Sequence, residues 1–270
     1  MSGQATLTIL GCGSSGGVPR LGSKPGGEWG DCDPENPKNH RRRCSVLVSR
    51  AGPDGVTRVL IDTSPDLRMQ MLDASIGALD GVVYTHSHAD HVHGIDDLRM
   101  IVYNMRKRLP VWADGPTQDA LFSRFGYAFV QPEGSNYPPI LDMHTLRGDV
   151  TIEGAGGPIT LTPFEVEHGV IDALGFRIGN LAYLPDVSDI KEESWAALTG
   201  LETFVIDALR YAPHPTHAHL ERALEWIAQT GAKSGVLTNM HIDLDYETLA
   251  AETPDHVTPA YDGMTIPIDL

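Results

Sequence analysis

A chain of 270 residues, 41% apolar and 21% charged, is long enough to bury a core of its own and has the composition of a globular protein. No stretch approaches the roughly 18 apolar residues of a membrane span, and Met1–Leu10 lacks a basic segment followed by an apolar run. Three cysteines, Cys12, Cys32 and Cys44, are too few and too scattered for a disulfide framework, and 36 acidic against 20 basic residues leave a net charge of −16 that disfavours extended nucleic acid as a partner. These features predict a single domain over residues 1–270, cytoplasmic, with reduced thiols and no membrane association.

Thr6–Leu10 reads as a strand that runs into a Gly-rich turn, Gly11 to Gly17. Cys44–Ser49 and Arg58–Ile61 form a predicted strand pair around the turn Gly52-Pro53-Asp54-Gly55. Ser64-Pro65 has the cap-then-proline signature of a helix start and leads into Asp66–Leu72. Gly81–Thr85 is a short apolar strand, after which Ile95, Leu98, Ile101, Val102 and Met105 recur at helical spacing. Phe125, Tyr127, Phe129 and Val130 suit either a core or a contact between two copies of the chain, and core is the better reading. Ile159–Glu167, Leu174–Ile178 and Leu181–Leu184 are successive strands, and Thr203–Ile206 is another. Pro215 or Thr216 opens a predicted helix that ends near Gly231; Gly235–Thr238 is a last central strand and Asp245–Glu252 a short helix. Strands in series within each half, with helices between and after them, predict sheets covered by helices.

Directly after the Gly81–Thr85 strand comes His86-Ser87-His88-Ala89-Asp90-His91. In extended backbone, residues two apart point to one side, so His86 and His88 can grip one cation together. Asp90 and His91 follow where the chain turns and can face a second. Imidazole and carboxylate ligands suit zinc, and also manganese or iron. More ligands are on offer where later strands end: His168 after Phe164–Glu167, Asp186 after Leu181–Leu184, and His241 after Val236–Thr238. The tracts Arg41–Arg43 and Arg106–Arg108 read as solvated surface rather than substrate grips.

The series H-x-H-x-D-H, then His, Asp and His, resembles the metallo-β-lactamase fold superfamily over nearly the whole chain, Thr6 to Ile268. The resemblance implies an α/β fold, a four-layer αββα sandwich. It implies one metal on His86, His88 and His168, a second on Asp90, His91 and His241, and Asp186 bridging the two. Asp62 matches the family's early aspartate, which orients the ligand loop. Gly11-Cys12-Gly13-Ser14-Ser15-Gly16-Gly17-Val18-Pro19, Arg42-Arg43-Cys44-Ser45 and Tyr261-Asp262-Gly263-Met264 look like the branch of the PhnP-type phosphoribosyl cyclic phosphodiesterases and, more distantly, tRNase Z. In Asp207-Ala208-Leu209-Arg210 to Pro215-Thr216-His217-Ala218-His219, His217 falls where that phosphodiesterase has its catalytic histidine. Two departures stand out. Trp29-Gly30-Asp31-Cys32 carries one cysteine where the family builds a structural zinc site from several, so no structural zinc is expected. In Thr238-Asn239-Met240-His241, strict alignment puts Asn239 at the ligand position, with the histidine two residues on.

By that resemblance, two divalent ions (Zn or Mn) would share a bridging hydroxide that attacks phosphorus in line, and His217 would protonate the leaving alkoxide. The two cations would reverse the sign of the surface locally and admit a small anionic substrate. Asp90 and His217 are the residues expected to act in the chemistry; a small phosphate ester or nucleotide is the expected substrate. The Gly-rich loop suits either a phosphate-facing wall or a plain tight turn. An RNA-processing nuclease of the tRNase Z type, a thioester or lactone hydrolase, and a non-catalytic, metal-dependent nucleotide-binding protein are the rival readings.

Overall fold

A computed structural model describes residues 5–270; Met1–Gln4, part of the N-terminal segment read above as leaderless, lie outside the described residues. The first half of the chain supplies β1 (Ala5–Gly11), β2 (Ser45–Gly52), β3 (Gly55–Ile61), α1 (Leu67–Asp73), β4 (Gly81–Val83), α2 (Ala89–Val92), α3 (Leu98–Met105), β5 (Leu109–Ala113), α4 (Gly115–Phe125) and β6 (Leu141–Thr145). The second supplies β7 (Val150–Ile152), β8 (Ile159–His168), β9 (Ile171–Ile178), β10 (Leu181–Leu184), β11 (Asp189–Ile190), β12 (Thr203–Asp207), α5 (Leu220–Thr230), β13 (Ser234–Thr238), α6 (Tyr246–Glu252), β14 (Val257–Pro259) and β15 (Thr265–Ile268).

One sheet has the order β15-β1-β2-β3-β4-β5-β6; the other runs β11-β8-β9-β10-β12-β13-β14, with β7 paired to β8. Alternation along the first sheet decides its layers. Leu7, Ile9, Val46, Val48, Val59, Ile61 and Val83 join one core with Val166, Phe176 and Ile178 of the second sheet. Their neighbours Leu10, Leu47, Leu60, Val82 and Tyr84 join a separate core with Leu67, Met71, Leu98, Ile101 and Leu121 of the helices. Successive side chains on a strand face opposite ways, so both faces are buried where Ile9-Leu10, Val46-Leu47-Val48, Val59-Leu60-Ile61 and Val82-Val83 read as unbroken apolar runs. On α5, Leu220, Ala223, Trp226 and Ile227 form one buried stripe at helical spacing against the second sheet. The result is helix, sheet, sheet, helix, the predicted αββα sandwich. Among the described residues no helix is long and apolar enough to cross a membrane.

Several expectations need correction. α5 begins at Leu220, with His219 as its cap, not at Pro215 or Thr216. Pro213 and Pro215 hold the preceding stretch as a loop, closed by backbone bonds from Leu209 N to Ala218 O (2.9 Å) and from Leu220 N to Arg210 O (2.9 Å). Arg41 is not solvated surface. It is 2% exposed, and its guanidinium donates to Leu244 O at 2.6 Å, Asn39 Oδ1 at 3.3 Å and His241 O at 3.3 Å. Of the aromatic group, Phe129 is buried, whereas Tyr127 and Val130 are exposed. All three cysteines are free and buried.

Candidate metal centre

The strands that carry candidate ligands end at one edge of the sandwich. β3 and β4 run parallel in one sheet, and β10, β12 and β13 run parallel in the other. Their C-terminal ends deliver Asp62, His86 to His91, Asp186, Asp207 and Asn239, and β8 delivers His168.

Three groups of side chains offer ligand atoms within 4.8 Å of one another: His86, His88 and His168; His86, His91 and Asp186; and His168, Asp186 and His217. Each imidazole except that of His88 is tied at its outer nitrogen. His86 Nδ1 donates to Thr85 Oγ1 at 2.9 Å, because that hydroxyl spends its own proton on Asp62 Oδ2 at 2.7 Å. His91 Nδ1 donates to Asp62 Oδ2 at 2.8 Å, and His168 Nδ1 to Thr216 O at 2.6 Å. These ties fix the tautomer that leaves Nε2 bare and turned inward. Asp62 adopts φ 63°, a left-handed conformation that aspartate tolerates, and also accepts Thr85 N at 2.8 Å. It thereby sets two of the loop's three histidines, His86 and His91, the orienting task expected of it.

The inward atoms fit a cation. His86 Nε2 is buried without a hydrogen-bond partner, and the buried His91 Nε2 and Asp186 Oδ2 make no hydrogen bond of good geometry although they lie 3.0 Å from each other; a positive charge among the three atoms would satisfy them. His88 Nδ1 and His168 Nε2 face each other at 3.1 Å with no carboxylate between them. Burial pushes the pKa of His86, His88 and His168 down, which keeps them in the neutral, ligating form. Burial also works against a charged His91, but Asp186, Asp62 and Asp90 outweigh it and raise its pKa well above the usual value. Burial would raise Asp186 likewise, yet His91, His86 and His217 hold it well below the usual carboxylate range. The field that draws a proton to His91 Nε2 is one that would draw a metal ion. Asp186 lies at 3.0 Å from His91 Nε2 through Oδ2, and at 3.9 Å from His168 Nε2 through Oδ1, so it stands between the histidine groups. Asp90 Oδ2 lies 3.7 Å from His91 Nε2.

His217 and His241 differ in placement. His217 Nδ1 donates to Asp207 Oδ2 at 3.0 Å and lies 3.5 Å from Asp186 Oδ1. Burial lowers its pKa, but Asp207 and Asp186 overcome this and raise it to about 9. Burial pushes Asp207 up to about 6 against the pull of His217. Asp207 joins the candidate site as the partner of His217, a place that sequence reasoning did not assign to it. The signal was its place at the end of β12, level with the other strand-end ligands. Asn239, with φ 59°, occupies the buried position beside the carboxylates: its Nδ2 lies 3.3 Å from Asp186 Oδ1 and 3.2 Å from Asp207 Oδ1. His241, expected as a ligand of the second metal, joins none of the three groups. The turn at Asn239 and the bridge between Gly13 and Met240 carry it to the rim, where Nδ1 lies 3.2 Å from Asp243 Oδ1 and Nε2 lies 3.2 Å from Arg20 Nη1.

A cleft of about 390 Å³ opens onto His88, Asp90, Asp186 and His217, with Ser14 to Gly17 forming one wall. The two halves of the Gly-rich loop differ in their surroundings. A Cβ on Gly11 would lie 2.2 Å from Arg43 O and one on Gly13 2.8 Å from Arg41 O, so the first half needs glycine for close packing. The second half lines the cleft. A larger cavity, about 520 Å³, lies beyond Gly16 and Gly17 and is lined by His40, Arg42, Arg43, Asp66 and Asp262 among others. It touches none of the clustered ligands, so size alone does not mark the centre.

Comparison with known proteins identifies the family. Residues 57–242 match the model of the β-lactamase superfamily domain. The crystal structure of a diphosphatase from the PhnP family is 36% identical, with a TM-score of 0.87, and the match covers 100% of this chain and 99% of that one. A protein of Porphyromonas gingivalis (strain ATCC BAA-308 / W83) named octanoyltransferase is 36% identical over 266 residues, 97% of this chain and 51% of that protein. A ribonuclease Z of Mycobacterium sp. (strain KMS) is 26% identical over 147 residues, 48% of this chain and 51% of that protein. The matches thus span about half the length of these two relatives.

Proposed function

For a chain that belongs to the metallo-β-lactamase superfamily, in its PhnP-like branch, and is a metal-dependent hydrolase, we propose hydrolysis of a small phosphate diester with two divalent cations, zinc or manganese. The observation that carries this reading is the convergence of buried ligand atoms on His86, His91 and Asp186, which make no hydrogen bond of good geometry, beside the His88–His168 pair. His86, His88 and His168 would hold one cation, and Asp90 and His91 the other, with Asp186 shared. Bound there, the cations supply Lewis acidity towards the phosphoryl oxygens and lower the pKa of water.

The chain's own residues would do the rest. Ser14 to Gly17 and the loop from Arg210 to His217 flank the substrate in the cleft. His217 is held by Asp207 through Nδ1, so Nε2 is its free nitrogen and, protonated, gives its proton to the leaving oxygen. Asp207 stabilises that imidazolium, and Asn239 holds Asp207 and Asp186 in register. His241 is not a ligand in this scheme. The net charge of −16 favours a small substrate over extended RNA.

The test is hydrolysis of bis(p-nitrophenyl) phosphate by the purified protein, with metal content by mass spectrometry and His217→Ala alongside. Two metals per chain are expected, with turnover falling roughly 10²–10⁴-fold in the variant while the metal stays bound. Two metals without turnover of phosphodiesters would sink the proposal in favour of another ester or of binding alone. Fewer than two would show that Asp90, His91 and Asp186 do not suffice for a second site.

A further inference from the structure

The edge of the sandwich opposite the candidate metal centre holds a second group of charges. β2 runs antiparallel to β3, and β9 antiparallel to β10, so β2 and β9 finish at the edge where β3 and β10 begin. Arg50 stands there on β2 and Arg177 on β9, one on each sheet. Thr160 and Thr162 join them from the first half of β8, the strand whose other end carries His168. The four side chains line a cavity of about 330 Å³ that shares no residue with the cleft at the His and Asp cluster.

Both guanidinium groups are half-buried and held by backbone. Arg177 Nε donates to Gly179 O at 3.1 Å, and its Nη1 to Ala197 O at 2.9 Å and Thr199 O at 2.7 Å. Arg50 Nη1 donates to Pro158 O, and a Cβ on Gly157 would lie 3.2 Å from Arg50 Cζ, so main chain packs against this guanidinium. Arg50 Nε is buried without a hydrogen-bond partner. Among the described residues no carboxylate lies within ion-pair distance of either arginine. Asp54 shares a neighbouring cavity with Arg50 but stays beyond that distance. Asp269, packed against Gly179, accepts from Asn180 Nδ2 at 3.3 Å. Thr162 pairs with Arg177 across β8 and β9, and its hydroxyl makes no hydrogen bond among the described residues.

Two held cations beside one cavity repel each other unless an anion sits between them, and a chain with a net charge of −16 has carboxylates to spare for that purpose. None is placed there. A guanidinium fork matches the oxygens of a phosphate group. Donors that come from separate sheets, with a hydroxyl beside them, suit the several oxygens of a tetrahedral dianion better than the two coplanar oxygens of a carboxylate. From these observations we infer that Arg50, Arg177 and Thr162 form an anion site, remote from the cleft, that takes a phosphate group of free phosphate or of a small phosphomonoester. An anion bound there ties β2 of one sheet to β9 of the other. The site stands independently of the reaction proposed for the cleft.

The test is calorimetric titration of the metal-loaded protein with inorganic phosphate. A metal centre can itself bind phosphate, so the readout is the difference between proteins that share that centre. The wild type should bind one phosphate per chain more than the double variant Arg50→Gln, Arg177→Gln, with equal metal content as the check on folding. Arg50→Gln alone gives up a single hydrogen bond to the protein and should weaken the extra phosphate about 10–100-fold, as befits one or two charge-assisted hydrogen bonds. This single variant decides the matter if the double variant does not fold. Glycerol 3-phosphate bound at the extra site more tightly than phosphate would assign the cavity to a phosphomonoester, and the reverse order to free phosphate; either supports the site. Equal stoichiometry and affinity in wild type and variants overturns it, and so does malonate bound there as tightly as phosphate.

Discussion

At the scale of single residues, the centre depends less on the ligands than on what holds them. Asp62 is fully buried, fixes His91 directly and fixes His86 through Thr85. Asp62→Ala should weaken metal binding roughly 10–100-fold, read by competition with a coloured chelator; unchanged affinity would mean that packing alone orients the loop. Asp207 plays the matching part for His217. Asp207→Asn keeps the size of the side chain and removes its charge, so it should slow diester turnover by at least about tenfold without releasing metal, in line with other acid–base partners. Loss of metal in that variant would instead make His217 a ligand, a role its place beside His168 and Asp186 permits. The dense cluster His86 to His91 was legible because four chemically telling residues fall within six positions. Asp207 was not, since a lone aspartate after a strand reads as a turn former. Nor was the exchange between Asn239 and His241: which of the two faces inward depends on one left-handed residue, and periodicity does not register that.

Among the elements, the short helix α6 shows how a capping residue can also anchor a loop. Asp245 accepts Thr248 N at 3.0 Å as the helix cap, and it accepts Asp33 N at 3.1 Å and the buried Asn39 amide at 2.7 Å. Burial alone would raise its pKa, but these donors bring it down to about 2. Asp245→Ala should cost roughly 2–4 kcal/mol in urea unfolding, the sum of a lost cap and a stranded buried amide. The sign of the acid effect follows from the depressed value. The carboxylate's contribution is whole above the unfolded pKa of 3.8 and is lost as pH falls from there through about 2. The stability gap between wild type and variant should therefore narrow over that range, and a constant gap would assign the effect to packing. In the second half, β8, β9, β10, β12 and β13 were legible from their apolar runs. β5, β6, β7, β11, β14, β15 and α4 were not: several span only two to four residues, and α4 opens on Gly115-Pro116, which reads as a breaker until Asp114 is seen to cap it. The loop before α5 was taken for helix because Pro215-Thr216 resembles a start, whereas the backbone bonds between Leu209 and Ala218 close it first.

Across the whole molecule, the candidate ligand set draws on both sheets. His86, His88, Asp90 and His91 follow β4 of one sheet, while His168 and Asp186 follow β8 and β10 of the other. Periodicity could not reveal this, because pairing between distant strands leaves no local trace; only the resemblance carried by the motifs pointed to it. Cations held there would tie the two halves of the sandwich together and engage the buried atoms on His86, His91 and Asp186 that make no hydrogen bond of good geometry. Removing them should then be felt by the fold as a whole. A ligand present at about 100 times its Kd stabilises the native state by about 2.7 kcal/mol. For a chain of this size each kcal/mol shifts Tm by about 2–4 °C. Chelation should accordingly lower Tm by roughly 5–10 °C, in a single transition, and stoichiometric zinc or manganese should restore it. An unchanged Tm would mean that the stripped cluster compensates itself, with the His91–Asp186 contact at 3.0 Å acting as a buried ion pair in place of the metal. Two separate transitions would mean instead that the sheets unfold independently and that the metal centre joins them without making them cooperative.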